Sequence, residues 1–192
     1  MLIIVSGPDR VGKSTLISHM ADVIGEEDVM ISHHSAPPKD QDSIFDFYKQ
    51  DITKWIDSGK PHCIFDRAWP CSYILEQFRR SNLGHLEDLI DLELWINDTV
   101  ADGVVHLAQL RPWFWSAPLH VEELKEEAEH NTSSWYIRDQ YITRMQEHEI
   151  YQTQLIDFYE KVTMFPHVQL TETVTPETVI ELCQEAVLAA GR

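Results

Sequence analysis

The stretch Gly7-Pro8-Asp9-Arg10-Val11-Gly12-Lys13-Ser14-Thr15 holds two glycines, a lysine, two hydroxyls and an adjacent carboxylate and guanidinium. The spacing Gly7-x4-Gly12-Lys13-Ser14 is that of a phosphate-binding loop. Its glycines let successive backbone N–H groups, through Val11 and on to Thr15, converge on phosphate oxygens, and a helix starting at Lys13 adds its positive dipole end. In such a loop Lys13 reaches the β- and γ-phosphates of a nucleoside triphosphate, and the Ser14 hydroxyl suits Mg²⁺. Asp9 and Arg10 are surplus to phosphate binding and need an account of their own.

A second cluster closes the run His62-Cys63-Ile64-Phe65-Asp66-Arg67. A carboxylate at the end of an apolar strand is the usual partner of the loop hydroxyl in a magnesium site, which makes Asp66 the expected second metal ligand. It could also act as a base towards an acceptor, or simply cap the following helix. Arg67, next to it, faces the crevice outside the carboxyl ends of the strands.

The elements that would position these groups alternate along the chain. Leu2-Ile3-Ile4-Val5 reads as a buried strand, followed by a helix from Lys13 to Ile24. Val29-Met30-Ile31 is the next strand, and residues Asp40 to Asp57 carry Ile44, Phe45, Tyr48, Ile52, Trp55 and Ile56 at helical spacing up to Ser58-Gly59. Cys63-Ile64-Phe65, Val104-Val105-His106-Leu107 and Val168-Gln169-Leu170 read as further strands. Helices are expected over Ser72–Arg80, Leu86–Asn97, Ile137 to Val162 and, opened by Pro176, on to Ala190. Strands alternating with helices imply an α/β fold of three layers: a central parallel sheet of about five strands with helices on both faces. With no repeat or low-complexity linker, residues 1–192 read as one domain.

Charge narrows the function classes. Fifteen basic against 32 acidic residues leave a net charge of −17, which disfavours an extended nucleic-acid or anionic membrane surface while allowing a local basic pocket. No apolar run reaches the ~20 residues of a membrane span. The three cysteines Cys63, Cys71 and Cys183 lack metal-ligand spacing, and a reduced, cytoplasmic setting is the simplest expectation.

GPDRVGKST followed by FDRAWPCS resembles the thymidylate kinase group of phosphate-loop kinases, including similar small kinases of bacteriophages. The likeness in motif is confined to these two segments, although the order of elements is similar over most of the chain. The resemblance implies ATP and Mg²⁺ as donor and metal, and transfer of the γ-phosphoryl group to a (deoxy)nucleoside monophosphate, with a dTMP-like acceptor. It implies Asp9 turned to the acceptor sugar and its phosphate, Asp66 to the metal and Arg67 to the acceptor phosphate. Members of the group that lack an arginine in the lid carry one in the loop, as GxDRxGKS, which is the pattern here. The presumed lid, residues 112–136, has no arginine and one lysine, Lys125. A placed arginine is worth roughly 10³ to 10⁵ in rate in related NTPases, so Arg10 is the expected transition-state cation. The alternative is a loop cation held by Asp9, Glu26 or Glu27.

Departures from the group fall on the acceptor side. The stretch Ser32-His33-His34-Ser35-Ala36-Pro37-Pro38-Lys39-Asp40 replaces the group's Arg-Glu-Pro segment, and no arginine occurs between Val11 and Asp66. His33 and His34 then face the crevice, while Phe45, Tyr48 and Trp69 are candidates to line the acceptor pocket, or else pack in the core. Arg111 resembles the arginine that stacks on the donor adenine at the start of the lid. Trp113, Phe114 and Trp115 are expected on a loop beneath that lid. Arg138 and Arg144 could swing to the phosphates on closure or pair with Asp139, Glu147 or Glu149. The long helix's apolar stripe leaves core packing or a homodimer face open. Three other functions stay in view: a deoxynucleoside kinase, a kinase of a hydroxylated base in phage DNA, and a non-catalytic NTP-binding module.

Overall fold

The computed structural model describes residues 1–34, 37, 43–80, 84–100, 103–128 and 134–191, with 78–80, 84 and 134–137 as backbone only. The strands are β1 (Leu2–Ser6), β2 (Val29–His33), β3 (His62–Asp66), β4 (Val104–Gln109) and β5 (His167–Leu170). All pair in parallel in the order β2-β3-β1-β4-β5. The helices are α1 (Lys13–Ile24), α2 (Ile44–Ser58), α3 (Trp69–Ile74), α4 (Gly84–Thr99), α5 (Trp113–Ala128), α6 (Ser134–Lys161) and α7 (Pro176–Ala190).

Alternation along β1 divides the core. Ile3 and Val5 pack with Leu16, Ile17 and Met20 of α1 and with Val179 and Cys183 of α7. Leu2 and Ile4 face the larger layer built from α2, α3, α4 and α6, with Ile52, Trp55, Leu92, Leu155 and Phe158. A central strand buried on both faces needs the continuous apolar run that the sequence shows. Chain order reverses around β1, whose neighbours are β3 and β4, so the crevice opens where β1 runs into the phosphate-loop motif.

Caps explain several boundaries. Ser43 accepts a hydrogen bond from the Asp46 amide at 3.1 Å, and so begins α2 at Ile44 rather than at Asp40, which lies outside the described residues. Gly59, at φ 68°, ends that helix. The helix expected from Ser72 starts earlier, at Trp69 with Pro70 in its first turn, and continues as π-helix over Leu75–Arg80.

The aromatic cluster after β4 is a correction: Trp113, Phe114 and Trp115 open α5 instead of lying on a loop. Trp113 turns inward, stacked on His120 at 4.6 Å and donating to the Tyr141 hydroxyl at 2.9 Å, so it fastens α5 to α6. Phe114 and Trp115 point outward. Along α6, Leu155, Phe158 and Tyr159 are buried while Ile142 and Ile150 are exposed. Cys63, Cys71 and Cys183 are free thiols, and burial pushes Cys63 and Cys183 up to about 12. Among the described residues no helix is long and apolar enough to cross a membrane.

Candidate active site

The loop leaving β1 turns through backbone conformations that few side chains adopt. Gly7 has φ 154° and Gly12 φ 88°. A β-carbon on Gly7 would lie 2.4 Å from the Gln109 carbonyl oxygen at the end of β4. Among the described residues the non-glycine positions with positive φ are Arg10 (62°) and Arg67 (64°). Both border the same cavity of about 640 Å³, which also takes in Gly7, Pro8 and Asp9. Sparsely populated backbone conformations cluster at functional sites, and Arg10 and Arg67 bring two of them to one cavity.

Lys13 begins α1 at the foot of this loop. Its ammonium is buried and donates to the Pro8 carbonyl at 2.5 Å. Burial lowers its pKa, and the Arg67 guanidinium pushes the same way. Val11 is packed into the core beneath the loop, leaving its backbone to the turn, and Thr15 is exposed on α1.

Ser14 and Asp66 are drawn together by the pairing of β1 with β3. The Ser14 hydroxyl donates to Asp66 Oδ2 at 3.3 Å, and His33 Nδ1 approaches the same oxygen at 3.1 Å. Asp66 Oδ1 is buried without a hydrogen-bond partner. One hydroxyl and one carboxylate oxygen left unsatisfied are hard oxygen donors of the kind Mg²⁺ takes, with water and phosphate oxygens completing its shell. The residues present therefore fit Mg²⁺. Among the described residues no group of three or more His, Cys, Asp or Glu side chains forms a metal site without substrate.

Asp9 and Arg67, both lining the cavity and both partly exposed, form an ion pair. Burial works to raise the Asp9 carboxyl, but Arg67 and Lys13 hold it below the usual range. Burial likewise works against the charged Arg67, and Asp9 outweighs it, holding the guanidinium above its ordinary value. The Arg67 amide donates to the Val5 carbonyl at 2.9 Å, which ties the end of β3 to β1.

Arg10 pairs with Glu123 on α5 rather than with Asp9, Glu26 or Glu27. Arg144 on α6 reaches the same Glu123 at 3.0 Å and Glu127 at 2.8 Å, in place of the neighbours on its own helix. Arg138 is exposed. Glu123 and Glu127 are the sites that reading the chain in order missed. The sequence shows both glutamates within the 112–136 segment, but not that a helical spacing of four turns both carboxylates onto the cavity. Residues 129–133 of that segment lie outside the described residues.

The acceptor-side candidates separate. His34 and Tyr48 border the cavity. His34 packs on Phe65 at 4.6 Å and Tyr48 at 5.1 Å, and burial lowers its pKa despite Asp51 nearby. The Tyr48 hydroxyl pairs with Ser72 at 2.5 Å. Phe45 sits elsewhere, against Trp95 and beneath Lys49. Trp69 is fully buried in the core, its Nε1 donating to Glu93 at 2.9 Å, because an indole that fills the space between β3 and α4 needs a buried acceptor. Arg111 lies over Trp115 at 4.9 Å, and its carbonyl accepts from Gln152 at 2.5 Å and faces His148 Nε2 at 2.8 Å. Of the stretch Ser32 to Asp40, residues 35, 36 and 38–40 lie outside the described residues.

The sequence matches no family model and no curated protein. Solved structures do share its fold. A polyphosphate kinase 2 of Arthrobacter aurescens superposes with a TM-score of 0.61 at 15% identity, covering 99% of this chain and 67% of its own. A protein of Pseudomonas aeruginosa described as a polyphosphate kinase 2 gives 0.61 at 17% identity, covering 99% of this chain and 42% of its own. A deoxyadenosine kinase of M. mycoides with bound dATP follows at 0.43 and 17% identity, covering 96% of this chain and 98% of its own. The first two define the class: a P-loop kinase fold, with five parallel strands between helical layers. Neither of these two is named as a thymidylate kinase.

Proposed function

We propose that this chain is an ATP-dependent phosphotransferase that moves the γ-phosphoryl group of ATP onto the phosphate of a (deoxy)nucleoside monophosphate, with a dTMP-like acceptor. Residues 1–192 act as one kinase domain in this reading, and the 112–136 segment, largely α5, is its lid. The observation that carries it is the Asp9–Arg67 pair: a guanidinium on strained backbone, presented to the cavity that also receives the phosphate loop.

The roles follow from position. The loop amides and Lys13 hold the donor phosphates, and Arg10 offsets charge on the group in transfer. Ser14 and Asp66 would hold Mg²⁺, which supplies charge neutralisation and orients the phosphates. Arg67 takes the acceptor phosphate, oriented by Asp9, and Tyr48 and His34 form the wall nearest the acceptor's sugar and base. Arg111 is the contact for the donor base. α5 closing over the cavity would exclude water, so that the acceptor competes against little hydrolysis.

A deoxynucleoside kinase is the second reading. Its support is the scarcity of cations on the acceptor side, where no arginine occurs between Val11 and Asp66. Duplex DNA as acceptor is opposed by the −17 charge.

One panel separates these. ADP release is measured with ATP and Mg²⁺ plus each deoxynucleoside, each deoxynucleoside monophosphate, or duplex DNA. The expected result is ADP release that depends on a deoxynucleoside monophosphate. Response to free nucleosides alone would replace the acceptor class, and equal ADP with and without every acceptor would end the kinase reading.

A further inference from the structure

Glu123 is unusual among the carboxylates of the cavity because two guanidiniums distant in sequence share it. Arg10 contacts Oε1 from the phosphate loop, and Arg144 Nη1 donates to Oε2 at 3.0 Å from α6. Arg144 Nη2 donates in turn to Glu127 at 2.8 Å. Two guanidinium forks converging on a pair of anionic oxygens is the geometry in which arginine binds phosphate.

We propose that Arg10 and Arg144 form a two-arginine subsite for the terminal phosphate of the donor, and that the Glu123 carboxylate is a built-in competitor for it. The proposal rests on the kinase reading above. Arg10 belongs to the loop that wraps the donor phosphates, and its backbone at φ 62° fixes the direction in which its side chain leaves. Arg144 lines the same cavity from α6, and both guanidiniums meet at Glu123. Side-chain exposures of 38%, 33% and 22% for Arg10, Glu123 and Arg144 mean that water screens these pairs, which lets them change partners at small cost. A terminal phosphate carries more charge and more acceptor oxygens than a carboxylate, and therefore wins the exchange. Glu127 keeps one edge of Arg144 in place while the other edge changes partner. Loss of the Arg10–Glu123 contact also unties α5 from the loop, which couples the position of the lid to whether the donor still bears its terminal phosphate.

Titration calorimetry of the full chain with Mg-ADP, with the non-hydrolysable Mg-AMPPNP and with tripolyphosphate tests this. Glu123→Gln keeps the shape and removes the competing charge. It is expected to tighten AMPPNP and tripolyphosphate by about threefold to tenfold, the scale of one or two partly exposed ion pairs, with ADP changed less than twofold. Arg144→Gln is expected to weaken AMPPNP at least tenfold more than ADP. If that variant does not fold, Arg144→Lys, which keeps the charge and loses the fork, carries the same expectation in smaller measure. An effect of Glu123→Gln that is nil, or equal on ADP and AMPPNP, overturns the subsite, as does an Arg144 variant that leaves their ratio unchanged. If no nucleotide binds the wild-type chain, the kinase reading fails on its own. Tripolyphosphate then decides the subsite: tightening by Glu123→Gln sustains it, and no tightening removes it.

Discussion

Gly7→Ala puts the loop's geometry to the most direct test. The new β-carbon would stand 2.4 Å from the carbonyl oxygen of Gln109, a backbone atom of a central strand that cannot rotate aside. The loop must therefore retreat by more than about half an ångström, since such contacts are essentially never closer than 3.0 Å. The backbone also sits at φ 154°, where an alanine is strained. Strain and overpacking together cost about 2 to 6 kcal/mol, or roughly 5 to 20 °C in Tm for a chain of this size. A retreat of that order misplaces the amides over the phosphates, and a shift near 1 Å can cost about a hundredfold in rate. Gly59→Ala is the control: it also has positive φ, at 68°, but nothing lies within 4 Å of its added carbon. It should cost about 1 to 2 kcal/mol and leave AMPPNP affinity intact. Thermal melts and calorimetry on both variants read the difference. Equal melting temperatures for the two, with AMPPNP bound to Gly7→Ala as tightly as to wild type, would refute the close approach of loop to β4.

Arg10→Ala is expected to lower kcat by about 10³ and to raise the KM for ATP far less, because the guanidinium holds the terminal phosphate and acts most strongly on the charge that develops in transfer; steady-state kinetics showing an unchanged kcat would return Arg10 to a structural tie. Trp69→Phe removes the indole donor from buried Glu93 and should cost about 1 to 3 kcal/mol in urea unfolding. A loss under about 0.5 kcal/mol would mean that the Met164 amide and His106 already satisfy that carboxylate. Stability should fall as pH drops below 6.5. Burial lowers the folded pKa of His106 and of His34, so below their ordinary value of 6.5 the unfolded chain takes up protons that the folded chain refuses. Melting temperature followed from pH 7.5 to 5.5 should decline, and His106→Gln should flatten the decline; a flat profile in the wild-type chain would contradict the burial of these rings.

Local grammar determined much of this protein. Gly7-x4-Gly12-Lys13-Ser14 announces its turn because only glycine takes φ of 88° or 154° cheaply, and the short apolar run before it reads as a strand buried on both faces, as it is. The alternation of elements sufficed for a parallel sheet of five strands. Acidic Asp66 at a strand end and Arg67 after it were legible for the same reason, since the end of a strand is fixed by the pattern within it. Partnerships across the fold were not legible. That Arg10 meets Glu123 depends on how α5 packs against α6, where Trp113 bonds Tyr141, and an aromatic-rich stretch with Pro118 inside it does not read as a helix. Trp69 looked like pocket lining because an aromatic beside a strand end suits either side. The buried Glu93, set 24 residues along the chain, drew it into the core. A sequence states which groups are present and how the backbone repeats. Which side of a helix faces the cavity, and which charge answers which, is decided only when layers pack and buried polar atoms must each find a partner.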